Sequence, residues 1–412
     1  MKYIIINSTI RQESTGQITR DLYKFLVDRN NEVIFCYGRD KQENKDPNII
    51  KIDWNIEVLI HVMLARITGL QGYFSNHATN KLIKIIRRFK PDAVIIGSMH
   101  GYYINFTRLL NELKKKHILT YCYLFDEYPF LGKCPFSGNC TKYEVECNRC
   151  PQKRDFPKSV FFDTSKKIFN DKLKTYEGFS ELNFIGIPYT ISKAKESAII
   201  KKTSPDLIDF GWGIDTKGEY KPRDVTQLKK NLHIPDNHIV VLAVASYKEV
   251  RKGIKKFYYR AAQSLMNEPI TFIHIGFDGN KEEKPDWENL IVLPFISNQK
   301  ELSFYFSLAD LFVIPSLSEG QPTVSLISLC CGTPVLGFDI SGVPYAAPAP
   351  YGKYIEAENV HLLIEAIRNT TKKTEKTIME CRNYAEENIE KDSINKKLLD
   401  TIEKDIRWQK GH

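Results

Sequence analysis

Residues 307–344 read SLADLFVIPSLSEGQPTVSLISLCCGTPVLGFDISGVP, and their pattern decides the fold. Four apolar residues at 311–314 suit a buried strand, and 315–322 make a polar loop bounded by prolines. The apolar run that follows suits a helix. A Cys-Gly-Thr-Pro turn at 331–334 then leads to a second apolar strand at 335–338. Strand, loop, helix and strand in that order form a βαβ unit of a parallel sheet. Ligands of such sheets lie outside the carboxyl ends of the strands, so Ser318, Glu319 and Gly320 occupy a binding position. A carboxylate followed by glycine at a helix start can accept hydrogen bonds from hydroxyls, while unpaired backbone N–H groups can meet phosphate. An ordinary loop with an N-capping carboxylate reads the same way, and this segment alone does not separate the two.

The alternation extends in both directions. Apolar runs at 3–6, 32–37, 93–96, 120–124 and 184–187 suit buried parallel strands, with helical spacing at 18–29 and 78–89 between them. Strands at 240–245, 270–275, 290–293, 311–314 and 335–338 repeat the scheme, with helices at 254–265, 299–307 and 361–369. The expected fold class is α/β, with two doubly wound Rossmann-like domains in tandem. The join falls in 205–222, rich in Gly, Pro and Asp. The first domain is drawn as 1–204, with a cysteine-rich insert at 130–160 and completion by 390–412; the second is 205–389. Residues 381–408 read as one long charged amphipathic helix.

A chain of 412 residues exceeds one typical core, and 42% hydrophobic with 26% charged residues is the balance of a soluble globular protein. The apolar start MKYIIINSTI is too short for a signal peptide, and no run reaches the ~18 residues of a membrane span, so cytoplasmic residence is expected. The net charge is +9, and residues 1–190 hold 29 Lys and Arg against 20 Asp and Glu, which is the whole excess. That half suits an anionic partner such as a phospholipid surface or a polyprenyl diphosphate; a solvated lysine surface reads equally well. No helix-turn-helix, zinc-finger or aromatic RNA-binding pattern points to nucleic acid.

The 307–344 stretch resembles the signature of family 4 retaining glycosyltransferases, in which a P-S-x-x-E-G loop leads a helix ending in A-C-G-x-P-V. Pro315, Ser316, Glu319, Gly320, Cys331, Gly332, Pro334 and Val335 fall in register, as does the Gly342-Val343-Pro344 turn. The resemblance runs over nearly the whole chain and is greatest to enzymes of capsular and colanic-acid type. It implies the GT-B fold, with a cleft between the domains and a C-terminal helix crossing back to the first. It implies a nucleotide-sugar donor held by Ser318, Glu319, Gly320, Thr323 and Val324. One position departs from the pattern: the family's second glutamate, which binds the nucleotide ribose, is Ile327 here.

Arg251 and Lys252, in SYKEVRKG at 246–253, follow a strand and open a helix. Two cations and free N–H donors suit a diphosphate, and the resemblance implies that they stabilise the departing nucleoside diphosphate. A solvated basic helix start is the alternative. Thr15 and Gly16, in the turn Ser14-Thr15-Gly16, are expected in a loop after the first strand, where Gly16 permits close approach to the donor and Thr15 lies on the acceptor side. Asp126, in LFDEY at 124–128, is expected to act as general base or hydroxyl ligand. Relatives carry histidine where Phe125 stands. His100 and Tyr102, in HGYYIN, are expected on the acceptor side, with a packed structural histidine as the alternative. Cys134, Cys140, Cys147 and Cys150, with five, six and two residues between them, could close a structural zinc site; reduced buried thiols are the other reading. The apolar stretch 54–70 suits either a membrane-surface helix or a helix packed on a neighbour.

The expected function is retaining, metal-independent transfer of a sugar from a nucleotide-diphosphate donor to a lipid-linked glycan acceptor in capsule, O-antigen or exopolysaccharide assembly. No cofactor is expected for catalysis. The expected location is the cytoplasm, at the inner face of the plasma membrane. The departures at Phe125 and Ile327 leave a non-catalytic transferase-like subunit open, and a nucleotide-sugar epimerase shares the fold. Donor sugar, nucleotide base, linkage and oligomeric state are not legible.

Overall fold

The computed structural model describes residues 1–10, 13–40 and 46–411. Its chain divides into two units, Met1–Trp212 with Ile394–His412, and Gly213–Ser393. The first is built on β1 (Lys2–Asn7), β2 (Glu32–Tyr37), β3 (Ile49–Lys51), β4 (Ala93–Ile96), β5 (Leu119–Tyr123), β6 (Leu182–Gly186) and β7 (Asp206–Asp209). These strands are parallel, in the order β3-β2-β1-β4-β5-β6-β7. The central strands are almost wholly apolar and buried on both faces, as a helix-covered parallel sheet requires.

The second unit carries β8 (Ile239–Val244), β9 (Ile270–Ile275), β10 (Leu290–Leu293), β11 (Leu311–Ile314), β12 (Val335–Phe338) and β13 (Gly352–Ile355). Their order is β10-β9-β8-β11-β12-β13, again parallel. Two doubly wound α/β units are therefore present as expected. In each, strand order reverses once, between β1 and β4 and between β8 and β11. Such a reversal opens a crevice at the strands' carboxyl ends, which is where the loops of interest lie.

Three expectations need correction. A cut after residue 204 would sever β7, which pairs with β6 from Asn183↔Asp206 to Gly186↔Asp209; the first unit therefore runs to Trp212. The segment 381–408 is two helices, Glu375–Asn388 and Lys391–Gly411. The helix ladder breaks there because Ile214 N–H donates to the Ile389 carbonyl (2.8 Å) and Lys391 N–H donates to the Ile214 carbonyl (3.0 Å). Leu398, Leu399, Ile402 and Ile406 of the last helix pack into the core of the first unit. Finally, the first helix begins at Glu13, so Thr15 and Gly16 lie in its opening turn rather than in a loop. The Ser14 side chain lies outside the described residues.

Candidate active site

In the C-terminal unit, the loops after β8 and β11 flank the reversal of strand order. The first carries Arg251 and Lys252 in a short 3-10 turn (Val250–Lys252), followed by a π turn (Ile254–Tyr258) and an α-helix (Tyr259–Ser264) in place of the single helix expected. The second carries Glu319 before the helix Thr323–Cys330. The loops are joined by backbone, with Leu317 N–H donating to the Arg251 carbonyl at 2.8 Å. Gly253, at φ +69°, makes this approach feasible, since a Cβ there would stand 2.0 Å from the Pro315 carbonyl oxygen.

The charged groups converge. Lys252 Nζ lies 2.7 Å from Glu319 Oε1, and Arg251 Nη1 lies 3.2 Å from Glu319 Oε2. Arg251 Nη1 also donates to the Ser318 carbonyl, and its Nη2 pairs with Glu249 at 2.5 Å. The Glu319 N–H donates to Ser341 Oγ (3.1 Å), and its carbonyl accepts from Gly342 N–H (2.9 Å). Gly342 is obligatory, because a Cβ there would meet the Gly320 carbonyl oxygen. The glycine turn at 342–344 thus fixes the glutamate loop from behind. Burial works to raise the Glu319 carboxyl, but the charges of Lys252 and Arg251 outweigh it and hold the group below its ordinary range. It is a fixed carboxylate with two partly exposed cations in front of it.

Lys252, Ser316, Glu319 and Val324 line one narrow cavity. A larger one of about 320 Å³ opens beside it, lined among others by Tyr247, Lys248, Lys255 and Lys256. Thr323 and Val324 are half-buried in the first helical turn beyond Glu319 and Gly320. Ile327 is buried within the same helix. Of the residues the sequence singled out in this unit, Arg251, Lys252, Ser318 and Glu319 meet directly. Ser341 was missed; its only signal is its place before the Gly-Val-Pro turn.

In the N-terminal unit, His100 lies in the loop after β4 and Asp126 in the loop after β5. His100 Nε2 stands 2.5 Å from Asp126 Oδ2, and Asp126 Oδ1 accepts the Tyr128 N–H at 2.9 Å. Both side chains are 18% exposed, so the pair is open to a small group from outside. His100 is thus joined to a carboxylate, and its ring packs edge-on against Tyr128 at 5.3 Å. Tyr102, at φ +64°, is buried behind it. Phe125 does not take part; its ring stacks on Tyr123 (4.7 Å) and meets Trp212 edge-on (4.9 Å). Glu127 is buried, accepting from Ser137 N–H (2.7 Å) and Tyr189 O–H (3.0 Å), and burial raises its carboxyl. The Thr15 and Gly16 carbonyls accept from Thr19 Oγ1 within the helix.

Cys134 and Cys150 share a thiol hydrogen bond, which raises Cys134 and lowers Cys150. Cys134 and Cys147 are buried while Cys140 and Cys150 are half-exposed, and all four are free thiols. Among the described residues no three His, Cys, Asp or Glu side chains are placed to hold a metal ion. The fully buried Lys172 amine anchors the loop, donating to the carbonyls of Tyr128, Leu131 (2.8 Å) and Gly132 (3.0 Å).

Residues 224–391, which contain the Arg251–Lys252–Glu319 cluster, match the family described as glycosyl transferases group 1. This segment is a group 1 glycosyltransferase domain. Three curated relatives resemble part of the chain. The alpha-galactosylglucosyldiacylglycerol synthase of Streptococcus pneumoniae is 31% identical over 28% of this chain and 33% of its own. The putative teichuronic acid biosynthesis glycosyltransferase TuaC of Bacillus subtilis is 32% identical over 34% and 35%. The N,N'-diacetylbacillosaminyl-diphospho-undecaprenol alpha-1,3-N-acetylgalactosaminyltransferase of Campylobacter jejuni is 26% identical over 34% and 36%. The matches thus span about a third of these relatives' length. Solved structures follow the fold over nearly the whole chain. HepE of Anabaena in complex with UDP has a TM-score of 0.63 at 14% identity, covering 98% of this chain and 100% of that one. WaaG, a glycosyltransferase involved in lipopolysaccharide biosynthesis, has 0.63 at 13%, covering 98% and 99%. The fold is that of the GT-B glycosyltransferases. Among the described residues no helix is long and apolar enough to cross a membrane.

Proposed function

We propose that this chain is a retaining glycosyltransferase that moves a sugar from a nucleotide-diphosphate donor to a lipid-linked oligosaccharide during surface polysaccharide assembly. The observation that carries this reading is the convergence of Arg251 and Lys252 on Glu319 at the β8/β11 reversal. Arg251 and Lys252 would hold the diphosphate, whose charge grows as the anomeric bond breaks. Fixed cations there act mainly in the transition state and would serve without a metal ion. Glu319 and the backbone at Gly320 would take the hydroxyls of the donor sugar. The acceptor hydroxyl would attack on the face that the diphosphate leaves. His100 and Asp126 would receive the acceptor, with the carboxylate orienting the imidazole.

The names of the relatives support the class of acceptor: one acts on a diphospho-undecaprenol glycan, another makes a glycolipid. The UDP complex of HepE supports the class of donor. The test is transfer of radiolabelled sugar from a panel of nucleotide sugars to polyprenyl-diphosphate glycans by the purified chain. One donor giving a lipid-extractable product, with its anomeric configuration kept, is the expected result. A product of inverted configuration overturns the retaining mechanism. Inactivity with every donor, in protein that still binds a nucleoside diphosphate, favours a non-catalytic subunit.

A further inference from the structure

The segment between β5 and the helix Ser165–Tyr176 carries four of the chain's nine cysteines, and the function proposed above uses none of them. Cys134 and Cys150 meet thiol to thiol, with fifteen residues of chain between them. Cys134 is 7% exposed, whereas Cys150 is half-buried, so a small oxidant meets Cys150 first. The Cys150 sulfur accepts from the Cys134 thiol and from the Gln152 N–H. The buried amine of Lys133 lies near both sulfurs, fixed there by donating to the Lys153 carbonyl at 2.9 Å. These contacts favour the thiolate. They outweigh burial and the Asp163 carboxylate, and hold Cys150 below the usual thiol range. Cys147 differs: its sulfur accepts the Gly132 N–H, and burial pushes it up to about 11.

The two cysteines belong to stretches that border the His100–Asp126 pair. Next to Cys134, the Pro135 carbonyl accepts the Glu127 N–H at 2.8 Å, and Ser137 N–H donates to Glu127 Oε2 at 2.7 Å. That stretch is thereby tied to the loop of Asp126. Cys150 opens the stretch that carries Phe156, whose ring stands 6.0 Å from that of His100. Gln152 Nε2 donates to the Ser137 carbonyl at 2.7 Å, so the two stretches already touch beside the sulfurs.

We propose that Cys134 and Cys150 form a redox-modification site, at which hydrogen peroxide converts the dithiol to a disulfide and a small thiol restores it. The Cys150 thiolate attacks one peroxide oxygen, the O–O bond breaks, and the other oxygen leaves as hydroxide and takes a proton. Cys150 is then a sulfenic acid. The Cys134 sulfur attacks it, and the S–S bond forms as the S–O bond breaks. The second oxygen leaves as water with the Cys134 proton. In sum, two thiols and one peroxide give one disulfide and two waters, and two electrons pass from sulfur to oxygen. Two equivalents of a small thiol return the pair by exchange and leave as their own disulfide. A half-buried reactive thiol beside a buried resolving one is the arrangement that redox-sensing cysteines use. Closure would staple the Asp126 stretch to the Phe156 stretch. The proposal does not rest on the transfer reaction.

The experiment treats the full reduced chain with hydrogen peroxide, blocks the remaining thiols with iodoacetamide and maps disulfide peptides by mass spectrometry. A Cys134–Cys150 bridge is expected to form at least ~10-fold faster than any other cysteine modification, and dithiothreitol is expected to reverse it. Closing a loop of this length is expected to raise the thermal midpoint by ~5 °C. Cys150→Ser is expected to abolish the bridge, and Cys140→Ser to leave it intact. In Cys134→Ser the oxidation is expected to stop at a Cys150 sulfenic acid, which dimedone labels. A faster bridge to Cys140 or Cys147 overturns the proposal, as do thiols that all stay reduced in peroxide that oxidises free cysteine. So does one zinc per chain that must be removed before any of the four thiols reacts, since they would then be ligands. If Cys134→Ser fails to fold, the wild-type map and Cys150→Ser carry the test.

Discussion

Both units place candidate chemistry in loops at the carboxyl ends of parallel strands, yet with opposite character. In the C-terminal unit, Arg251 and Lys252 close on a buried Glu319 that is held charged. In the N-terminal unit, the loops after β4 and β5, one strand beyond the reversal, hold one imidazole and one carboxylate, partly open, beside an exposed apolar face. The first arrangement suits a ligand that is always a polyanion. The second suits a neutral hydroxyl whose proton has to go somewhere. The contrast teaches that two units of similar topology need not divide the labour evenly.

The sharpest way to break the comparison is at its charged end. Lys252→Met is expected to slow transfer by ~10²–10³-fold, the scale of losing one preorganised charge contact in the transition state. Loss in KM alone would mean that the cation binds donor and transition state equally. Asp126→Asn is expected to slow transfer by ~10²-fold, because the imidazole loses the carboxylate that orients it. An unchanged rate would make Asp126 a structural group.

Acid should separate the units next. His61 folds with its imidazole lowered to about 4, against an ordinary 6.5. As pH falls, the unfolded chain takes up that proton first. The contribution is therefore complete above pH 6.5 and declines down to about pH 4, by on the order of 2–3 kcal/mol. Glu319 is also depressed, from 4.5, so its contribution holds above 4.5 and fades only below that. The buried Asp53 carboxyl, raised to about 7, acts in the opposite sense over the same range, so the His61 contribution is read as the difference between wild type and His61→Gln in denaturant titrations at pH 7 and 5. The smallest effect concerns the cysteines. Chelator is expected to leave the thermal midpoint within ~1 °C, with metal analysis well under one zinc per chain. One tightly held zinc would mean that the four thiols gather after all.

Much of the fold was legible because the central strands are continuous apolar runs, which only burial on both faces explains. The strands that escaped are β3, β7 and β13. Each stands at a sheet edge, is three or four residues long, and carries Lys or Asp on a half-exposed backbone. Edge strands are kept short and charged against aggregation, and that removes the pattern by which strands are read. The break in the last helix was hidden for another reason. It is imposed by a backbone pairing with Ile214, far off in sequence. At the site, the 307–344 signature and the SYKEVRKG segment led to groups that meet directly in the fold. The His100–Asp126 contact did not announce itself, because its members sit in loops after different strands and share no spacing rule. The outward apolar face of Asn55–Thr68 was equally ambiguous: periodicity marks a stripe, and only the burial of His61 and Ala65 shows which way the stripe points.

The most direct measurement of the central claim is equilibrium binding of nucleoside mono- and diphosphates to the wild-type chain and to Lys252→Met. One diphosphate binding at least ~30-fold tighter than its own monophosphate, with that preference lost in the variant, is the predicted result. A preference that survives the substitution, or no discrimination between mono- and diphosphate in the wild type, would contradict a diphosphate held by Arg251 and Lys252.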